Sequence, residues 1–432
     1  MRHFCCCCLA GLLLTLGVSV SLGQAPSSAD DYFKRGTARM MKGDLSGAVS
    51  DLSKAIELDE ARLSVVTLAP VRSRLTMAYS NRCMTRNLLG DFDGALTDCN
   101  RAIEIDPGFA ETYGNRANAR RGKGDLDGAI ADYGKVIEIN PRNASSYYNR
   151  GSARSDKGDL DGAIADLTTA IEMNSRHALA YNNRGFVKYR KHDLDGAIAD
   201  YDKAIALDPT LALAYRNRSQ ARSDKHDVDG VIADSTSLVE LNPKDDSAYY
   251  NRGVMRVKKG DLDGAIADLS KSLEINPRYP DAYEMRGTAR DNKGDSDGAI
   301  ADYDRAIEIN PKGASAYYNR GYTRVKKREF AKAILDFDDA VLLNPKLDQA
   351  YFWRGISRLM GQDYVSAIAD FDKVLALSPT DAQALGYRGL GRLALRREDE
   401  AEQDFAKCFQ LNPSLRPRIE GLANQIRQQR KL

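Results

Sequence analysis

Apolar and small residues recur at helical spacing along most of the chain, in a pattern that repeats every 34 residues. In the segment 144–177, Tyr147, Gly151 and Arg154 lie at i, i+4 and i+7, on one face of a predicted helix. Gly158 interrupts this helix, and a second helical pattern follows it. A proline near the end of most units stops the second helix. Each unit is therefore predicted to be a pair of helices without strands.

Eleven copies of this unit fill most of the chain, and 13 additional residues follow the first copy. One helix pair cannot bury a core by itself, so the copies must stack on one another into a solenoid. We predict repeat 1 at 29–62, an insert at 63–75 and repeats 2 to 11 at 76–415. Pro70 favours a break within the insert, although the insert could also lengthen the helices around it. Its apolar content predicts that it packs on the first unit.

Every copy has Arg at position 7, and most copies have Tyr at position 4, Gly at 8, Ala at 20 and 27 and Pro at 32. This pattern resembles the tetratricopeptide repeat family. The resemblance extends over about nine-tenths of the chain. It implies an all-α fold, in which antiparallel helix pairs form a right-handed superhelical solenoid. It also implies that the first helix of each unit lines a concave surface.

Two positions depart from the family pattern. Position 7, usually Leu in the family, is Arg in every copy from Arg35 to Arg388, and position 11, usually Tyr, is Arg or Lys. Position 23 is Asp in every copy, from Asp51 to Asp404. Because partly buried cations need partners, we predict a ladder of Arg–Asp pairs along the stack. The functional alternative is an anion-binding track lined by the arginines, which the regularly placed acids disfavour.

Function is expected where the copies differ from one another. The family's groove positions are polar or small in the early and middle copies but apolar in the last three. The predicted peptide-binding residues are Tyr318, Tyr322, Val325, Phe352, Ile356, Leu359, Met360, Leu390 and Leu393. Such a strip with aromatic anchors is typical of a groove that binds a peptide or helix. Alternatively, the C-terminal capping helix predicted at 416–432, or a second copy of the protein, covers it.

Composition narrows the possible functions. The 63 Lys and Arg balance 61 Asp and Glu and are evenly spread, so nucleic acid is not expected as a partner. The sequence has no catalytic motif, phosphate-binding glycine loop or metal-ligand spacing, so we expect no enzyme activity, cofactor, metal or small-molecule substrate. We predict a protein-interaction scaffold with a protein or peptide partner. The alternatives are an accessory array that presents substrates to a separate enzyme and a self-assembling structural protein, such as a homodimer.

Residues 1–25 have a composition of their own. Arg2 and His3 precede an apolar run from Phe4 to Leu22, which small residues follow. This arrangement is typical of a secretory signal peptide and predicts a periplasmic or secreted protein. If the segment were not cleaved, its roughly 19 apolar residues could anchor the protein in a membrane. Membrane contact is expected only in that case.

Cys83 and Cys99 occupy positions 8 and 24 of the second copy, which face each other between its two helices. In an oxidising compartment they could form a disulfide. Alternatively, they are two small apolar residues that fill packing positions.

Overall fold

The computed structural model describes residues 26–63 and 68–429, and all regular structure in these ranges is helical. The predicted signal peptide at 1–25 lies outside the described residues. The helices are α1 (Ala29–Met41), α2 (Leu45–Leu63), α3 (Ala69–Leu89), α4 (Phe92–Ile105), α5 (Ala110–Gly122), α6 (Leu126–Ile139), α7 (Ala144–Lys157), α8 (Leu160–Met173), α9 (Ala178–Arg190), α10 (Leu194–Leu207), α11 (Ala212–Asp224), α12 (Val228–Leu241), α13 (Asp246–Lys259), α14 (Leu262–Ile275), α15 (Pro280–Lys293), α16 (Ser296–Ile309), α17 (Ala314–Lys326), α18 (Phe330–Leu343), α19 (Asp348–Met360), α20 (Tyr364–Leu377), α21 (Ala382–Ala394), α22 (Glu398–Leu411) and α23 (Arg416–Gln429).

The helices form two compact units, the first ending at Lys225 and the second beginning at His226. In unit 1, α1 to α10 form five helix pairs, each pair packs on the next, and α11 follows. In unit 2, α12 precedes five further pairs formed by α13 to α22, and α23 packs on α21. The prediction of an all-α solenoid of stacked helix pairs is confirmed.

A recurring turn joins the two helices of a pair. Gly158 follows α7 with φ 94°, in the left-handed region that glycine adopts without steric cost. Asp159 then caps α8, because its carboxylate accepts a hydrogen bond of 2.9 Å from the Gly162 N–H. Four of these turns hold a side chain in the same left-handed conformation: His192, Arg328, Gln362 and Arg396. The short turn fixes the second helix of each pair against the first.

Small residues let the helices of one pair approach closely. A Cβ on Gly151 would lie 3.0 Å from Leu167 Cγ and 3.2 Å from the Ala163 carbonyl oxygen. Leu167 and Ala163 are completely buried. The large side chain at position 24 is thus packed against the space that glycine leaves at position 8.

The Arg–Asp ladder is present, and the prediction is confirmed. Arg150 donates from Nε and Nη2 to both carboxylate oxygens of Asp166, at 2.8 and 2.7 Å, while Arg154 donates to the same carboxylate at 2.8 Å. Arg150 also stacks 5.5 Å from the ring centroid of Tyr147. The same pairing recurs at Arg35–Asp51, Arg82–Asp98, Arg116–Asp132, Arg184–Asp200, Arg252–Asp268, Arg286–Asp302, Arg320–Asp336, Arg354–Asp370 and Arg388–Asp404. Since each of these arginines is engaged by an aspartate, the ladder is a structural device and not an anion track.

The described part of the insert lengthens the helices on both sides. Helix α2 continues to Leu63 and α3 starts at Ala69, with Pro70 in its first turn, where a missing N–H costs no hydrogen bond. Leu75 is buried and packs with Ile56 of α2. The break that Pro70 indicates therefore coincides with a helix start.

Cys83 of α3 and Cys99 of α4 form a disulfide, with their Cα atoms 5.6 Å apart. Of the two alternatives that the sequence left open, the structure contains the crosslink. The remaining described cysteine, Cys408, is a buried free thiol.

Candidate functional site

Aromatic side chains converge on the first helices of the last three pairs in unit 2. The ring centroids of Tyr322 and Trp353 are 4.9 Å apart, those of Phe352 and Trp353 5.6 Å, and those of Phe352 and Tyr387 5.7 Å. All three contacts are edge-to-face, an arrangement that aromatic pairs prefer. Tyr318 extends the series, stacked 6.4 Å from Tyr322. We call Tyr318, Tyr322, Phe352, Trp353 and Tyr387 the aromatic groove.

Two adjoining cavities open along the aromatic groove. The first has a volume of about 270 Å³ and is lined by Asp348 and Asp381 together with aromatic residues of the groove. We call it the acidic cavity. The second has a volume of about 470 Å³, and Arg418 and Leu422 of α23 form one of its walls, so we call it the α23 cavity. Both cavities share Trp353.

Most of the predicted peptide-binding residues retain exposed surface. Five are half-buried: Tyr318, Tyr322, Val325, Phe352 and Leu359. Met360 is 50% exposed and lines the α23 cavity. Val325 and Leu359 pack against the cores of their helix pairs but do not line either cavity. The aromatic members of the set are therefore its accessible centre.

Three of the predicted peptide-binding residues are buried, and their assignment to the contact surface is corrected. Leu390 and Leu393 are 4% and 0% exposed and belong to the core cluster that also contains Ile419 of α23. Ile356 borders the α23 cavity but is only 7% exposed. We therefore remove Leu390 and Leu393 from the candidate contact surface and treat Ile356 as the floor of the α23 cavity.

Trp353 and Tyr387 were missed by the sequence reasoning. Both occupy position 6, where seven other copies have Asn. Four of those asparagines donate to the preceding first helix; Asn115 Nδ2, for example, donates to Ser80 Oγ at 3.0 Å. The available signal was that the single Trp of the chain replaces an Asn at this position.

The acidic cavity contains two carboxylates without an ion-pair partner among the described residues. Asp348 accepts hydrogen bonds from the Gln349 N–H at 2.8 Å and from Ser378 Oγ at 3.2 Å. Asp381 caps α21 by accepting from the Ala384 N–H at 2.9 Å. These contacts use neutral donors, so both negative charges remain uncompensated by side chains.

Burial raises the pKa of the Tyr318 phenol and of the Tyr387 phenol. Both rings therefore stay protonated and neutral near pH 7, and their hydroxyls can donate hydrogen bonds.

Residues 26–63 and 68–429 contain no cluster of three or more His, Cys, Asp or Glu side chains that could hold a metal ion. None of the helices in this part of the chain is long and apolar enough to cross a membrane.

Sequence models of one family match the chain. A TPR repeat model matches residues 117–158 and 292–327. One tetratricopeptide repeat model matches residues 148–212 and 318–382, and another matches residues 247–279. With the stacked helix pairs, these matches identify the chain as a member of the tetratricopeptide repeat family. Tandem repeats of this type present extended binding surfaces, so the general class is a protein-interaction scaffold.

Solved structures similar to the chain include YrrB, described as a TPR protein with an unusual peptide-binding site, at 27% identity over 43% of this chain and 95% of that one, with a TM-score of 0.39. A tetratricopeptide repeat protein from Parabacteroides merdae is 20% identical over 57% of this chain and 98% of its own, with a TM-score of 0.44. Yeast Tom70 is 18% identical over 93% and 96%, with a TM-score of 0.37. No protein of curated function matches the chain.

Proposed function

We propose that the protein is an exported, non-catalytic scaffold whose aromatic groove binds a peptide or an amphipathic helix of a partner protein. The observation that carries this proposal is the run of partly exposed aromatic rings on α17 and α19 beside two open cavities, with the buried Tyr387 ring of α21 in contact with Phe352. Buried Trp and Tyr anchors dominate the binding energy of many interfaces. The half-exposed Met360 at the rim adds an adaptable apolar contact.

The rest of the first-helix surface offers fewer free groups. In unit 1, Ser152 and Ser155 are buried, and Arg190 donates to the Ser155 carbonyl at 2.6 Å. Arg121 pairs with Asp156 of the following helix pair. These polar side chains satisfy one another between neighbouring pairs, whereas the aromatic groove is left open to a partner.

The proposed export rests on the composition of residues 1–25. The Cys83–Cys99 disulfide supports it, because structural disulfides persist mainly in oxidising compartments. N-terminal sequencing of the protein from fractionated cells tests the assignment. A soluble exported form that begins near residue 26 is expected, whereas a membrane-bound form that begins at Met1 would favour an uncleaved anchor.

Binding is tested with immobilised protein that starts at residue 26 and is exposed to an exported protein fraction. The double variant Tyr322→Ala with Phe352→Ala should lose partners that the unmodified protein retains. Met360→Asp should weaken the same partners while leaving the fold intact, because this side chain is half exposed. Ser145→Asp places the same new charge on an exposed site of unit 1 and should have no effect.

Circular dichroism and urea denaturation of each variant separate lost binding from lost folding. Identical captures by all folded variants would reject the aromatic groove as the binding site. A dimeric mass that Met360→Asp converts to a monomer would favour self-assembly, and captured enzymes that act on co-captured proteins would favour an accessory array.

A further inference from the structure

The acidic cavity differs from the rest of the groove because aromatic rings and uncompensated carboxylates meet in it. We propose that it binds a lysine or arginine side chain of the partner segment, while the α23 cavity takes an apolar side chain of the same segment. This inference rests on the proposed function, since it assigns the chemistry of the segment that the aromatic groove binds.

The size and walls of the acidic cavity fit a single long side chain. It is the smaller of the two cavities, at about 270 Å³ against about 470 Å³. Rings of Tyr318, Tyr322, Phe352 and Trp353 line it. A lysine or arginine can lay its aliphatic stem along such rings and hold its charged group against a ring face, and Trp provides the most favourable face.

The charges of the cavity favour a cation over an apolar occupant. An apolar side chain would remove Asp348 and Asp381 from water without supplying a partner, which is costly for ionised carboxylates. A cationic side chain would instead form charge-assisted hydrogen bonds with them. Lys326, whose Nζ lies 6.0 Å from the Tyr322 ring centroid, is already engaged by Asp291 at 2.8 Å.

The chain itself stacks cations on tyrosines elsewhere. The guanidinium carbon of Arg354, for example, lies 5.2 Å from the ring centroid of Tyr351, and Arg320 lies 5.5 Å from Tyr317. Those arginines also bind an aspartate. An aromatic ring combined with a carboxylate is therefore the environment in which this fold accommodates arginine, and the acidic cavity combines the same two groups with no Lys or Arg among its lining residues.

The α23 cavity has the opposite character. Ile356, Met360 and Leu422 give it apolar walls, and Arg418 stacks 5.7 Å from the ring of Tyr387. This resident positive charge repels a second cation. The two cavities thus distinguish the two ends of the segment, with the cation toward Tyr318 and the apolar side chain toward α23.

The test is selection of a random peptide library, displayed on phage, against the protein starting at residue 26. Peptides enriched by the unmodified protein but not by Tyr322→Ala with Phe352→Ala should contain Lys or Arg together with an apolar residue. The key variant is Asp348→Asn with Asp381→Asn, which removes both charges. Of the two, Asp381 caps a helix, and Asn is an equally good helix cap. The control is Asp261→Asn with Asp295→Asn, two helix-capping aspartates of unit 2 that line neither cavity.

A selected peptide is then titrated, with fluorescence of Trp353, the single Trp of the chain, as the signal. The key variant should bind it about tenfold more weakly, the loss expected for one hydrogen bond to a charged group, and the control variant should bind it with unchanged affinity. Replacing the cationic residue of the peptide by Gln should weaken binding to the unmodified protein but not to the key variant.

The outcomes separate the two proposals. Peptides that depend on Tyr322 and Phe352 but show no cation preference, or that bind the key variant equally well, would overturn the inference and leave the groove assignment standing. A library with no peptide enriched over the Tyr322→Ala, Phe352→Ala variant would overturn both.

Discussion

Arg354 Nη1 donates a 2.7 Å hydrogen bond to Asp338 Oδ1 across the boundary between two helix pairs. The same guanidinium binds Asp370 of its own pair through Nη2, at 2.6 Å. One side chain thus stabilises the inside of a pair and its stacking on the preceding pair. The two carboxylates differ in burial, because the side chain of Asp370 is 3% exposed and that of Asp338 is 44% exposed.

This difference in burial predicts that neutralising the two aspartates lowers the free energy of unfolding by different amounts. Asp370→Asn should destabilise unit 2 by about 3 kcal/mol, because it leaves Arg354 and Arg358 without a buried counter-charge. Asp338→Asn should cost less than about 1 kcal/mol, since water screens an exposed pair. Urea denaturation followed by circular dichroism measures both. Equal losses would show that burial does not determine the strength of the ladder.

The left-handed backbone conformation in the turns predicts that two substitutions change stability in opposite directions. Arg328→Gly should raise stability by about 1 kcal/mol, because Arg328 has φ 62°, a conformation that costs a side chain about that much. Gly158→Ala should lower stability by a similar amount, since Gly158 has φ 94°. The shift of the urea midpoint measures both variants. A destabilised Arg328→Gly would mean that contacts of the arginine outweigh its backbone strain.

The disulfide between α3 and α4 should stabilise unit 1. Its cysteines are 16 residues apart, and closing a loop of that length contributes about 3 kcal/mol. Reduction with dithiothreitol should therefore lower the urea midpoint and speed hydrogen exchange in α3 and α4. The variant Cys83→Ala with Cys99→Ala is the control, and its midpoint should not respond to the reductant. A response there would contradict the assignment of the effect to this disulfide.

The burial of His177 predicts that the stability of unit 1 depends on pH. Desolvation lowers its pKa below the ordinary value of 6.5, and its Nε2 has no hydrogen-bond partner among the described residues. Because the unfolded chain binds this proton more readily, the stability that neutral His177 contributes is present above pH 6.5 and is lost as the pH falls below that value. The urea midpoint should therefore drop between about pH 7.5 and about pH 5.5.

The matched variant for this prediction is His177→Leu, since Leu211 and Leu347 occupy the same repeat position. Its midpoint should change less over the same pH range, and the difference between the two proteins isolates the histidine. Identical pH profiles would contradict the assignment.

The repeat made most of the fold predictable. A 34-residue period with two helical patterns defines a helix pair that is stable only when stacked, and Asp at position 23 in register with Arg at position 7 predicts their pairing. These features are local or periodic, so each copy contains the information independently. The insert was predictable only in part, because Pro70 indicates a helix boundary without deciding on which side the extra residues join.

The sequence predicted which side of each helix faces the groove, but it did not predict which residues on that side are exposed. Helical spacing assigns Leu390 and Leu393 to the groove face of the last pair, yet both belong to a core that includes Ile419 of the C-terminal helix. Spacing reports which side of its own helix a residue occupies, and it does not report what packs there. Trp353 was missed for a related reason, since at position 6 four other copies have an Asn that donates to the preceding first helix.

The sequence by itself determined the class of fold, the helix pairs and the ion-pair ladder, because these follow from periodicity and from the need of buried charges for partners. Only the tertiary structure decided which apolar groove residues remain exposed, that Asp348 and Asp381 meet the aromatic rings, and that Cys83 and Cys99 are joined. Those properties depend on distances between residues of different helices, which the packing of neighbouring pairs sets.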